Sequence, residues 1–289
     1  MTKIPHISFH GSHTGEFCAH AEPCRLEEIV RARIERGFTH FGLSEHQYVD
    51  RQEYVSIEDR QAGRSVEDVK DTFLRYMVEA RRLQHKYENR ANILVGFETE
   101  VYDDVSVQMV NHIRDTYEFD YIVGSVHFVN GVCYDANRQY YDMATKNAGG
   151  LENLYRNYYD LQFKLIRQCR PEVIGHFDLI KIFSPDNSVS RSVWDLIERN
   201  IKEAIGYGGV FEVNTRAFKK GLDEPYPGRE ILETISNMGG EITLGDDSHA
   251  LEDIGYAFER VTDLLTDYFQ YIVAFEKDTD GIKKIRLSA

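Results

Sequence analysis

Glu241-Ile-Thr-Leu-Gly245-Asp246-Asp247-Ser248-His249 places an acid and an imidazole two residues apart, directly after a β-branched apolar run. An extended segment ending at Gly245 points Asp247 and His249 the same way, just past the carboxyl end of a strand. Barrels and open α/β sheets keep their chemistry there. The arrangement recurs upstream: His10, His13, His20, His46, Glu98, His127 and His176 also fall at the ends of predicted strands or in the loops that leave them. Scattered surface residues would sit on helices and at both strand ends alike. Only His6, His40, His85 and His112 occupy such places, and they read as structural or solvated.

Imidazoles with a few carboxylates, and no cysteine among them, suit Zn, Mn or Fe better than Ca or Mg. These nine candidates exceed the needs of one ion, so two or three ions bridged by a carboxylate are implied. Such a cluster brings the pKa of a shared water toward neutrality and grips the attacking and departing oxygens of an in-line displacement at phosphorus. Hydrolysis of a phosphate ester is the reaction it serves best. Singly, each residue has a plainer reading, with His176 a core histidine bonded to Asp178 and Glu98 a surface partner of Arg90. Jointly, those readings require seven coincidences of position.

The elements that must position these groups follow from periodicity. Residues 4–10 read as a first strand that breaks at Gly11, residues 25–36 as a helix stopped by Gly37, and residues 38–43 as a strand delivering Ser44-Glu45-His46. A polar excursion over 47–65 is placed to cover a site mouth, and a long helix follows over 66–87. Strands at 93–97, 119–126, 172–175, 209–213 and 241–245 alternate with helices at 105–115, 151–169, 193–204 and 231–238. A second excursion over 130–150 reads as irregular, 254–265 as a closing helix and 271–275 as a last strand. This alternation predicts an α/β fold, a parallel sheet with helices outside, closed as a barrel. No linker, composition break or fixed repeat interrupts residues 1–289, which read as one domain.

Lys plus Arg total 34 against 48 Asp plus Glu, a net charge of -14, which argues against nucleic acid and anionic membrane surfaces as partners. A small phosphorylated metabolite remains compatible, because bound divalent ions reverse the sign inside a pocket lined with ligands. Cys18, Cys24, Cys133 and Cys169 lack the spacing of a disulfide scaffold or a Cys-x-x-Cys zinc site. The first residues are too short and polar for a signal peptide, and no apolar run approaches a membrane span. The expectation is a soluble cytoplasmic protein with reduced thiols.

Several segments together resemble the PHP (polymerase and histidinol phosphatase) superfamily, in particular its monofunctional histidinol-phosphate phosphatases. They are Glu16-Phe-Cys-Ala-His20, Ser44-Glu-His46, Gly96-Phe-Glu98, Gly124-Ser-Val-His127, Ile174-Gly-His176 and Gly245-Asp-Asp247-Ser-His249. The resemblance implies a distorted seven-stranded (β/α) barrel with three metal ions at the carboxyl ends of the strands. It assigns His10, His13, Glu98 and Asp247 to the first ion, and Glu98 with His127 and His176 to the second. The third falls to His20, His46 and His249. It further implies hydrolysis of L-histidinol phosphate to L-histidinol and phosphate in histidine biosynthesis, with Glu98, Asp247, His249 and Arg216 catalytic.

Phosphate recognition in the family draws on cations near the barrel mouth, here Arg216, Lys181 and Lys219 or Lys220. Arg216 is favoured because 214–216 leaves a strand end and a guanidinium grips phosphate oxygens in pairs. In one respect the chain departs from the family. Its Asp-x-His-x-His opening is replaced by His10-Gly11-Ser12-His13, so both histidines reach one ion only if the chain turns out of the strand at Gly11 at positive φ. Two rivals share these ligands. A phosphodiesterase or nuclease would need a basic or aromatic groove; a catalytically silent metal-binding protein would hold metal without turning over any phosphate ester.

Overall fold

The computed structural model describes residues 5–184, 188–278 and 281–288. From β1 (Ile7–Ser8) the chain passes through α1 (Leu26–Glu35) to β2 (His40–His46), then through α2 (Ile57–Gln61) and α3 (Val66–Lys86) to β3 (Asn92–Glu98). It continues through α4 (Asp104–Thr116) to β4 (Tyr121–Gly124). A small antiparallel pair, β5 (Phe128–Val129) and β6 (Val132–Cys133), precedes α5 (Arg138–Ala148), α6 (Leu151–Cys169) and β7 (Val173–Ile174). Then come α7 (Arg191–Tyr207), β8 (Val210–Asn214), α8 (Arg216–Lys219), α9 (Arg229–Asn237) and β9 (Glu241–Gly245). The chain ends with α10 (Thr262–Tyr268) and the hairpin of β10 (Tyr271–Asp278) and β11 (Gly281–Ser288).

β1, β2, β3, β4, β7, β8 and β9 form one parallel sheet in that order. The Phe9 N–H donates to the Leu244 carbonyl at 2.9 Å and draws the first strand against the last, giving a nearly closed barrel ringed by helices. The strands are apolar on both faces because helices cover the outside and side chains fill the inside. Tyr121 supplies much of that filling, next to Gly42 and Gly96, where an added Cβ would come within 1.9 Å of its hydroxyl and 2.5 Å of its ring, respectively.

The hairpin is not a barrel strand. It plugs the amino-terminal end: Phe275 packs edge-on against Phe9 at 5.1 Å. Glu276 meets His40 at 3.0 Å, Lys277 meets Asp120 at 2.6 Å and Arg286 meets Glu241 at 3.1 Å. His40 and Glu241 open β2 and β9, and Asp120 immediately precedes β4. The opposite end of the barrel is left to the ligand-bearing loops.

Three expectations change. The first strand is confined to Ile7–Ser8, and residue 4 lies outside the described residues. The closing helix at 254–265 is broken, since Gly255 (φ +68) and Ala257 (φ +58) leave helical geometry and α10 begins only at Thr262. The stretch 130–150 contains β6 and α5, the latter capped by the Asn137 side chain accepting from the Tyr140 N–H and stopped by Gly149 at φ +78. No helix among the described residues is long and apolar enough to cross a membrane.

Candidate metal centre

The parallel register sets His46 at the end of β2 directly beside Glu98 at the end of β3. His127 and His176 lie on the loops that leave β4 and β7, and Asp247 and His249 on the loop that leaves β9. After β1 the chain turns at Gly11 (φ +128) and Ser12 (φ +75). A Cβ on Gly11 would come within 2.6 Å of the Ser248 nitrogen, so the two ligand loops can touch only because that side chain is absent. The turn brings His10 and His13 together with Glu98 despite their altered spacing. Donor atoms lie within 4.8 Å of one another in the groups His10/His13/Glu98, His10/His176/Asp247, Glu98/His127/His176 and His46/Glu100/His127. The His20 ring stands 5.1 Å from those of both His46 and His249.

Arg33 locks the two loops. Fully buried, it donates to both oxygens of Asp246 at 2.7 and 2.9 Å, to Ser248 Oγ at 3.0 Å and to Ser12 Oγ at 3.3 Å. Asp178 is engaged away from His176, accepting from the Gly228 N–H at 3.0 Å and pairing with Lys181 at 2.8 Å.

Hydrogen bonding tests whether these residues fit divalent ions. His10 Nδ1 sits 2.9 Å from Glu212 Oε1, and a carboxylate only accepts, so Nδ1 carries a proton while Nε2 faces Glu98 Oε1 at 3.0 Å. His13 repeats the pattern, with Nδ1 on Glu45 at 2.9 Å and Nε2 without a hydrogen-bond partner among the described residues. His127 Nδ1 is held by Glu100 at 3.1 Å while its Nε2 meets the His176 Nε2 at 3.3 Å. Ring nitrogens and carboxylate oxygens crowded together in a dry site need protons or cations between them, and several of these groups have the spacing of metal ligands. The paired carboxylates fix each ring as outer partners of metal-bound histidines do. The donor set therefore fits divalent ions.

Burial pulls the His10, His46 and His127 rings down, but the facing acids outweigh it and raise all three, His46 to about 9, so without ions these rings hold the protons that cations would displace. Burial pushes the Glu98 carboxyl up, but the facing His10, His46 and His127 imidazoles hold it well below the usual carboxylate range. Glu100, pushed up by burial and pulled down by His127 and His46, comes to about 2. His249 is driven well below the ordinary imidazole value by burial and by His13 and Arg216, which keeps its ring neutral and able to ligate.

A cavity of about 290 Å³ opens onto the cluster. The excursion over 47–65 supplies one wall through Val49, Tyr54, Val55 and Glu58, and Cys133 and Asp135 of the second excursion supply another. Tyr54 stacks on Tyr102 at 3.7 Å beneath Arg51, which fixes the first wall. Arg216 and Lys220 are the cations lining the cavity among the described residues. Arg216 Nη1 donates to the Asp247 carbonyl at 2.9 Å and to Asp253 at 3.2 Å. Lys219 pairs with Asp253, and Lys181 binds Asp178 and the Pro225 carbonyl; neither lines the cavity. Tyr226 was not legible in the sequence: it is 2% exposed and lines the cavity, and its hydroxyl has no hydrogen-bond partner among the described residues. Glu45, Glu100 and Glu212 carry no motif signal of their own, although Glu45 and Glu100 adjoin the ligand motifs.

Comparison with known proteins agrees with this architecture. The PHP domain family matches residues 10–216. The probable histidinol-phosphatase of Schizosaccharomyces pombe is 39% identical, over 95% of this chain and 91% of that protein. The histidinol-phosphatase of Saccharomyces cerevisiae is 26% identical, over 93% and 91%. Among solved structures, the histidinol phosphate phosphatase of Lactococcus lactis, complexed with Zn, L-histidinol and phosphate, superimposes with a TM-score of 0.64 at 18% identity, covering 93% of this chain and 96% of that one.

Proposed function

The chain belongs to the PHP domain family, and from that membership we propose that it is a metal-dependent phosphatase hydrolysing L-histidinol phosphate to L-histidinol and phosphate, a step of histidine biosynthesis. The observation that carries the reading is the convergence of nine imidazoles and carboxylates, from six strand ends, at the base of one cavity. Similarity to histidinol-phosphatases along nearly the whole chain supports the substrate, as do the ligands of the Lactococcus lactis complex.

Two or three ions of Zn, Mn or Fe are proposed. His10, His13, Glu98 and Asp247 would hold one, Glu98, His127 and His176 a second, and His20, His46 and His249 a third. When bound, such ions supply a nucleophilic water at neutral pH and neutralise phosphoryl oxygens. The chain's own residues do the rest. Glu98 and Asp247, kept ionised by their surroundings, hold the positive charge together. Arg216, anchored by Asp247 and Asp253, turns its guanidinium to the cavity and grips phosphoryl oxygens in pairs. The Tyr226 hydroxyl donates to an ester oxygen, with no competing partner among the described residues. Val49, Val55 and Phe128 exclude water from the mouth, and Glu58 and Asp135 give the far wall the negative charge that suits the substrate's ammonium. Four unpaired cysteines suit a reducing cytoplasm as the location.

Phosphate release from a panel of phosphomonoesters, measured on protein of assayed metal content, tests the reading. Histidinol phosphate should be the preferred substrate, and chelation should abolish its turnover. Faster cleavage of bis(p-nitrophenyl) phosphate would select a phosphodiesterase, and metal without any turnover would select a binding protein.

A further inference from the structure

We infer that Cys18 is a sulfur ligand to the ion held by His46 and His249, which makes that position selective for a zinc-type ion over manganese or magnesium. The inference rests on reading the histidine cluster as a metal centre and adds a ligand that motif comparison does not supply.

Cys18 Sγ and ring nitrogens of His13, His46 and His249 all lie within 4.8 Å of one another. The loop is built to hold the sulfur there: the Phe17 and Cys18 N–H groups both donate to the Thr14 carbonyl, at 2.9 and 2.7 Å. That tight turn directs a side chain only 6% exposed into the barrel mouth. The sulfur sits 3.3 Å from the nearer nitrogen of the His20 ring. Independently, His46, a member of the same group, has its Nδ1 2.8 Å from Glu100 while its buried Nε2 has no hydrogen-bond partner among the described residues, which leaves that nitrogen to a cation whatever the thiol does.

The other three cysteines are placed differently. Cys133 lines the same cavity, but its thiol donates to Asp135 at 3.3 Å. Cys169 points at the Val107 carbonyl beneath α4. Cys24 is half-buried and takes part in no candidate ligand group among the described residues. One thiolate with imidazoles is a set that tetrahedral zinc accepts and that the harder manganese and magnesium do not favour. Coordination replaces the S–H proton, which leaves to solvent as the S–metal bond forms.

The test uses purified protein stripped by chelation and reloaded with Co(II) or Zn(II). Cobalt-loaded wild type should show a thiolate-to-cobalt charge-transfer band that Cys18→Ser lacks and Cys133→Ser keeps. Zinc-loaded Cys18→Ser should lose one metal equivalent to a chelator faster, by at least the roughly 10–100-fold that loss of an outer partner costs. A band that is absent in wild type, or that persists in Cys18→Ser, overturns the assignment. Should the variant fail to fold, alkylation of wild type with peptide mass mapping decides: Cys18 protected by zinc and modified after chelation supports it, and equal labelling refutes it. Histidinol phosphate turnover is read alongside. A band without turnover removes the phosphatase reading alone, and turnover without a band removes Cys18 alone.

Discussion

Glu212→Gln probes the metal centre without touching a ligand atom. Glu212 is completely buried, and its two oxygens stand 2.9 and 3.0 Å from His10 Nδ1. They also accept from the His176 N–H at 2.7 Å and from the Asn214 side chain at 3.1 Å. Glutamine keeps the shape but offers one acceptor in place of two. Whichever way the amide faces, either the His176 N–H or Asn214 meets an N–H₂ group in a dry site. That mismatch costs about 1–3 kcal/mol. Loss of the negative charge behind His10 also weakens that ring as a ligand, by roughly 10–100-fold in metal affinity. Chelator competition followed by metal analysis reads the affinity, and thermal melts of the stripped protein read the packing cost separately. If the variant keeps wild-type metal content and chelator resistance, the carboxylate does not orient His10 for a cation and the reasoning about the cluster fails.

Arg33→Met should lower stability by about 3–5 kcal/mol, because Asp246 is left as an uncompensated buried charge. The melting temperature should then fall by roughly 10 °C, part of which Asp246→Asn in the same chain should restore; an unchanged melt contradicts the locking role. Tyr226→Phe should reduce kcat/KM for histidinol phosphate about tenfold while leaving the melt unchanged, since the hydroxyl has no partner among the described residues to lose. Equal turnover, or a destabilised fold, argues against the substrate contact. Asp120 is pushed up by burial but held below its usual range by Lys277, the Val95 N–H and Arg81. Its folded pKa is depressed, so its contribution is present above the unfolded value of about 4 and is lost as pH falls through the lower folded one. The difference in melting temperature between wild type and Asp120→Asn should therefore be full at neutral pH and vanish in acid; a pH-independent difference refutes the assignment.

The strand ends are legible in the sequence because apolar runs stop where His46, Glu98, His127 and Asp247 begin, and a parallel barrel collects all carboxyl ends at one mouth. Gly11 is legible for the same kind of reason, as the altered histidine spacing demands a turn there and the backbone makes it at φ +128. What stays hidden depends on distant partners. Glu212 reads as an ordinary strand acid until the fold sets it beside His10, 202 residues away. Gly245 reads as a strand terminator, yet a Cβ there would fall 1.7 Å from Glu212. The stem of Arg33 is predictable from the apolar face of α1, whereas burial of its guanidinium follows only from the arrival of Asp246. The terminal hairpin is obscured because β11 is largely exposed and alternates Lys and Arg with aliphatics, a pattern that carries little burial signal.

Anomalous scattering from crystals of the purified protein, collected at the absorption edge of its assayed metal, tests the central claim most directly. At least two peaks are expected, one among His10, His13, Glu98 and Asp247 and another between Glu98, His127 and His176. Protein that hydrolyses histidinol phosphate with no peak among these side chains would contradict the account.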